Sequence, residues 1–179
     1  GATWLGVFGL PPLMVGWVAV ALALAAWKAR QAPEFSVLFG DERARVEICR
    51  SVWQKSDRRA AWALRRLLTD KSAEVRLVAL EALSRKPAID GILRPQVALL
   101  TDASEPELRA RALEYLLHVP GAENETWLEK ARRELADTAF RHTHPGLLST
   151  TVSKSLEQDS NATLTWAWNL IRTDPELAR

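Results

Sequence analysis

The sequence predicts an all-α chain, with one N-terminal transmembrane helix followed by a short α-solenoid of stacked helical hairpins. Three observations carry that prediction. None of the 24 basic and 22 acidic side chains precedes Lys28. Beyond residue 40, apolar residues recur at helical spacing, and nowhere do they alternate with the period of two that a half-buried strand needs. A block of sequence also returns after 32 to 33 residues, a solenoid-scale period. Composition narrows the classes further. A hydrophobic content of 47% excludes global disorder. The single cysteine, Cys49, excludes both an intrachain disulfide framework and a cysteine-based zinc cluster.

The first element is the uncharged run. Crossing hydrocarbon takes roughly 20 apolar residues, and residues 3–27 supply that length. The core of the run, Leu13–Trp27 (LMVGWVAVALALAAW), is apolar and strongly helix-forming, and Pro11-Pro12 would begin or kink the regular helix. Trp4 and Trp27 would lie about 34 Å apart on a continuous helix, close to the spacing of two aromatic belts. Trp17 falls between them and is a candidate contact with a partner helix. Ala19 and Ala23, like Ala21 and Ala25, form small-x-x-x-small pairs suited to close helix packing. A cleaved signal peptide needs a positive leading region, which is absent. Lys28 and Arg30 follow the run directly, so the positive-inside rule puts the C-terminal side in the cytoplasm.

Residues 1–30 are thus the anchor, and residues 31–40 (QAPEFSVLFG) are a linker. Helices are predicted next over Asp41–Lys55, Asp57–Leu68, Ala73–Ser84 and Ile89–Leu100. In the last of these, Pro95 sits near the first turn or breaks it. Two more follow over Glu105–Val119 and Glu123–Phe140, then an RHTHPG turn at Arg141–Gly146. Pro145–Leu156 and Asn161–Ile171 complete the set. Residues 41–140 form the repeats and 141–179 the C-terminal capping helices, since terminal repeats are atypical.

The repeat is visible residue by residue. Leu68-Thr69-Asp70 returns as Leu100-Thr101-Asp102, Glu74-Val75-Arg76 as Glu107-Leu108-Arg109, and Ala79-Leu80-Glu81-Ala82-Leu83 as Ala112-Leu113-Glu114-Tyr115-Leu116. Residues 57–119 therefore resemble HEAT repeats, whose second helix often opens with a turn Asp and a Val-Arg pair. The resemblance implies stacked hairpins that bury one another's apolar faces. It also implies turn acids that cap the next helix. Arg76 and Arg109 are expected to bridge to the turn acids of neighbouring repeats. Some HEAT-like proteins act as bilin lyases or DNA glycosylases, but neither activity maps onto residues of this chain.

Candidate sites are few. His142 and His144 share a loop, with His118 as a third imidazole, but no cysteine and no His-Glu motif complete a zinc set. Cys49 lies on an inward stripe with no family signature around it. No glycine-rich phosphate loop and no Gly-x-Ser-x-Gly are present. The expectation is therefore a non-enzyme without a cofactor or metal.

Charge is partitioned unevenly. Lys28–Leu100 carries 15 basic and 9 acidic residues, whereas Thr101–Arg179 carries 9 and 13. Arg58, Arg59, Arg65 and Arg66 form a candidate patch for lipid headgroups or an acidic partner. Nucleic acid is disfavoured, because the overall charge is near neutral and aromatics do not interleave with the patch. Trp166 and Trp168 are candidate partner anchors on the last helix. The expected function is a membrane-anchored scaffold: an accessory or assembly subunit that binds other membrane-protein subunits and holds the bilayer through residues 3–27. The alternative is a soluble or periplasmic HEAT-like domain that assists an enzyme such as a lyase.

Overall fold

The computed structural model describes residues 19–25, 37, 40–54, 56–86, 89–121, 123–174 and 176. Among these residues the chain is all-α, with no strand. After a helical segment at 19–25 come α1 (Glu42–Ser51), a short 3-10 turn at Val52–Gln54, α2 (Asp57–Leu67), α3 (Ala73–Ser84) and α4 (Asp90–Leu100). Next are α5 (Pro106–His118), α6 (Asn124–Glu134), α7 (Thr138–Thr143), α8 (Pro145–Gln158) and α9 (Ser160–Thr173).

No described helix is long and apolar enough to cross a membrane, so the predicted transmembrane helix is not shown. Seven helical residues at 19–25 rise about 10 Å, a third of a hydrocarbon core. Their apolar side chains Val20, Leu22 and Leu24 are exposed. The remainder of the predicted span, including Trp4, Trp17 and Trp27, lies outside the described residues, as does most of the 31–40 linker.

The helices stack in two layers. In one, α1 packs on α3, α3 on α5, and α5 on α8. In the other, α2 packs on α4, and each helix also rests on the first layer: α2 on α3, α4 on α3 and α5, α6 on α5 and α8. α9 closes the stack against α8. One hydrophobic cluster runs from Val37 to Val119, through Leu64, Leu67, Val75, Leu83, Leu93 and Leu116. A second holds Ala110, Leu113, Leu117, Leu128, Leu135, Phe140 and Leu147. α5 divides the two, sending Leu108, Ala112 and Leu116 to the first and Ala110, Leu113 and Leu117 to the second. A helix that is apolar over most of its circumference belongs at the centre of such a stack.

A repeating polar device ties the layers' turns together. Arg76 Nη1 donates to the Asp70 carbonyl at 2.7 Å while its Nη2 pairs with Glu105 at 3.1 Å. Arg109 Nη1 donates to the Ala103 carbonyl at 3.0 Å, and its Nη2 pairs with Glu134 at 3.2 Å. The expected bridge to a turn acid is present for Arg76, whereas the partner of Arg109 is the last residue of α6 rather than a turn acid. The same geometry extends beyond them in both directions. Arg45 donates to the Gly40 carbonyl and pairs with Asp70 at 2.8 Å. Arg141 Nη1 donates to the Leu135 carbonyl at 2.6 Å, and its Nη2 pairs with Asp174 at 2.9 Å. Each guanidinium closes the turn before its own helix and clamps the next turn or helix, using the fork of donors that arginine alone offers.

Several boundaries differ from expectation. The predicted Glu123–Phe140 helix is broken at residues 135–137. There the Asp137 carboxylate accepts from the Ala139 and Phe140 amides, at 2.9 and 3.4 Å, and starts a new helix. The predicted RHTHPG turn is mostly helical: residues 141–143 end α7, His144 is the link, and Pro145 opens α8. Proline suits that first position because its missing N–H has no helical partner there. The division at residue 140 thus falls within α7. Pro95 sits inside α4 without ending it. Capping is shared out differently too. Asp41, Ser72, Asp137 and Asp159 cap helices. Asp70 instead binds Arg45 and the Ser72 amide, and Asp102 binds Lys130 at 2.6 Å.

Candidate functional site

On the outer side of the α1–α3–α5–α8 layer, α3 and α5 flank a groove of about 650 Å³. Its apolar lining comes from Leu77, Val78, Leu80, Tyr115 and Val119, and its charged lining from Glu81, Glu107, Arg111 and Glu114. The positions are set by helical periodicity. Glu107, Arg111 and Glu114 lie at i, i+4 and i+7 and so share one face of α5. Arg111 donates to Glu107 at 3.0 Å and to Glu114 at 3.3 Å. The bond to Glu107 is the main reason the guanidinium holds its proton above the ordinary arginine value. His144 Nδ1 stands 3.3 Å from the other Glu107 oxygen. Glu81 is engaged by Arg85 across one helical turn.

Two further polar groups of the groove face their own backbones. The Ser84 hydroxyl donates to the Glu81 carbonyl at 2.8 Å, and His118 Nδ1 lies 2.8 Å from the Glu114 carbonyl. Glu81 and Glu114 are equivalent repeat positions, as are Glu74 and Glu107. The acidic character of this layer is therefore legible in the repeat itself.

The opposite layer carries the predicted basic patch. Arg58, Arg59, Arg65 and Arg66 are all exposed on α2. Trp62, not among the candidates read from the sequence, sits among them and is 44% exposed. It is one turn from Arg58 and one turn from Arg65 and Arg66, so all share a face. Ala60, Ala63, Leu64 and Leu67 form the buried side of the same helix.

The predicted Trp166–Trp168 pair separates. Two residues along a helix point to different sides. Trp166 is half-buried against the second core and has the Arg132 guanidinium 5.5 Å from its ring, while Trp168 is 66% exposed. One ring closes the stack and the other is open to solvent. Ala19 and Ala23 lie on the exposed helical segment 19–25, and Trp17 lies outside the described residues.

The three histidines do not converge. His144 faces Glu107, His118 its own helix, and His142 the buried Asp174 at 2.9 Å. His142, Asp174 and Glu176 form a cluster of metal-ligand type. The same Asp174 oxygen, however, accepts from Arg141 Nη2 at 2.9 Å and from Nε at 3.3 Å. A buried guanidinium on the central ligand atom opposes a cation, so the cluster reads as a polar clamp. Cys49 is fully buried, and burial pushes its thiol up to about 12. A thiol held protonated is a poor nucleophile. No family model, no curated protein and no solved structure matches this chain.

Proposed function

We propose that the chain is a membrane-anchored helical-repeat scaffold of HEAT type, an accessory or assembly subunit that acts by binding protein partners. The groove between α3 and α5 carries this reading. Its apolar floor and three glutamates, set against Arg111 and Arg85, suit a basic amphipathic segment of a partner protein: apolar side chains on the floor, lysines or arginines against Glu81, Glu107 and Glu114. The anchor rests on the uncharged run before Lys28, and the exposed Val20, Leu22 and Leu24 agree with a segment that does not join the helical core. The open Trp168 is a second candidate contact, because an exposed tryptophan is a favourable binding anchor.

The test is purification of the full chain from membranes in mild detergent, with identification of the chains that come with it. Glu81→Lys combined with Glu114→Lys should release the partner that occupies the groove while helix content stays intact. A wild-type protein that purifies alone would sink the scaffold reading. A partner retained by the double variant would move the contact away from the groove. Resistance to carbonate extraction tests the anchor separately.

A further inference from the structure

Beyond the groove, the layer on the other side of the molecule has an unusual surface. Its adjacent helices α2 and α4 bury one face against α3 and α5 and leave the other to solvent. That outer face shows Trp62 at 44%, Ile92 at 66% and Leu99 at 70% exposure. Large apolar side chains grouped on one exposed surface mark an interaction site. On α2 they are accompanied by four exposed arginines. The acid on that helix, Asp57, is engaged by Lys86 at 2.9 Å.

We infer that the outer face of α2 and α4 docks on an anionic lipid surface. Tryptophan settles at the level of headgroups, with its ring in the apolar boundary and its N–H toward water. Ile92 and Leu99 would enter the same boundary beside it. Arginine stems can lie along this apolar surface while the guanidinium groups reach lipid phosphates. Basic residues beside apolar ones on one helical face are the signature of an in-plane interfacial helix. The charge is complementary only to an anionic surface, and it is opposite in sign to the groove on the other layer. Docking this face on lipid therefore leaves the groove turned away from the bilayer and open to a partner. Reach is sufficient: the 13 residues from Lys28 to Gly40 span at most about 45 Å when extended. The proximity argument rests on the proposed anchor, whereas the surface itself does not.

A single-cysteine label tests it in the full chain. Cys49 is wholly buried, so Leu99→Cys provides the accessible thiol for an environment-sensitive dye. The dye should shift to the blue with vesicles of phosphatidylcholine containing one third phosphatidylglycerol, and stay unshifted with phosphatidylcholine alone. The same dye at Glu114→Cys, on the opposite layer, should not respond. Arg58→Glu with Arg66→Glu should abolish the shift at position 99. A shift without vesicles, or an equal one on neutral lipid, would overturn lipid docking and point to self-association or a protein partner. No shift at all would also overturn it. Resistance to carbonate with no shift leaves the anchor standing and removes the docking face. Carbonate release with a preserved anionic shift removes the anchor and leaves the face.

Discussion

The two ends of the stack fold by different means. From α1 to α5 the interior is mainly Leu, Val, Ile and Ala, with Leu64, Leu68, Val75, Leu83 and Leu116 wholly enclosed and Cys49, Thr101 and Tyr115 buried beside them. Beyond residue 140 the only buried hydrophobic side chains described are Leu147 and Leu170, while Arg141, His144, Thr151, Ser155, Thr163 and Asp174 are buried there. The hydroxyls are satisfied locally for the most part. Thr151 donates to the Leu147 carbonyl at 2.7 Å and Thr163 to the Asp159 carbonyl at 2.6 Å. Arg141 and Asp174 satisfy one another. The comparison teaches that one repeat geometry can be held by a dry aliphatic core or by a polar clamp. The failure modes differ: a core loses stability by cavity, a clamp by stranded charge.

The largest expected effect lies in the clamp. Arg141→Met should lower stability the most, because it removes both guanidinium bonds to Asp174 and leaves that carboxylate only His142 and the Glu176 amide. The equivalent Arg109→Met, at a rung about a quarter exposed, should cost about 1–3 kcal/mol. Denaturant unfolding of both variants decides whether burial sets the difference; equal losses would remove it. Labelling of Cys49 with a thiol reagent sharpens the result. Its thiol should stay protected in Arg141→Met if the ends of the stack open separately.

In the aliphatic half, Leu83→Ala and Leu116→Ala should each cost about 2–5 kcal/mol, the range for buried leucine truncation. A loss under about 1 kcal/mol in either would show that the site collapses around the missing atoms or was never tightly packed.

Acid should weaken the clamp. The hydrogen bond from Arg141 holds the Asp174 carboxyl below its ordinary value of 3.8. The folded pKa is thus below the unfolded one. Its contribution is complete above about pH 4 and is lost as pH falls through the folded value. Circular dichroism from about pH 5 to about pH 2 should show Asp174→Asn losing less stability than wild type over that interval.

The smallest expected effect has the opposite sign. The buried Ser155 hydroxyl has no hydrogen-bond partner among the described residues. Ser155→Ala removes that stranded group and should raise stability by about 1 kcal/mol. A loss instead would mean that the hydroxyl is satisfied by water.

These contrasts explain how much of the fold was legible. α3 was located to the residue, because the apolar spacing and the return of the motif in α5 agree. The two repeats differ at this point: Pro106 stands at the first position of α5 with no side-chain cap before it, where Ser72 caps α3. Past Phe140 the inward stripe of α8 continues as Leu147, Thr151 and Ser155. Its spacing is helical, but hydropathy does not mark hydroxyl residues as interior. Arg141 was likewise read as part of a turn, although it lies 32 residues after Arg109, as Arg109 lies 33 after Arg76. The groove was missed because its acids are ordinary helix-surface residues until two helices set them beside one space.

The sequence by itself determined the helical class, the core of the central hairpins, the basic patch and the uncharged N-terminal run. All of these follow from local periodicity and the order of charges, which no neighbour needs to supply. The tertiary structure decided which side of the stack each charge faces. It separated Trp166 from Trp168, placed Trp62 among four arginines beside the exposed α4, and sealed Arg141 onto Asp174. Those outcomes depend on which faces the second layer covers, and burial turns an ordinary arginine–aspartate pair into a clamp only after water has been excluded.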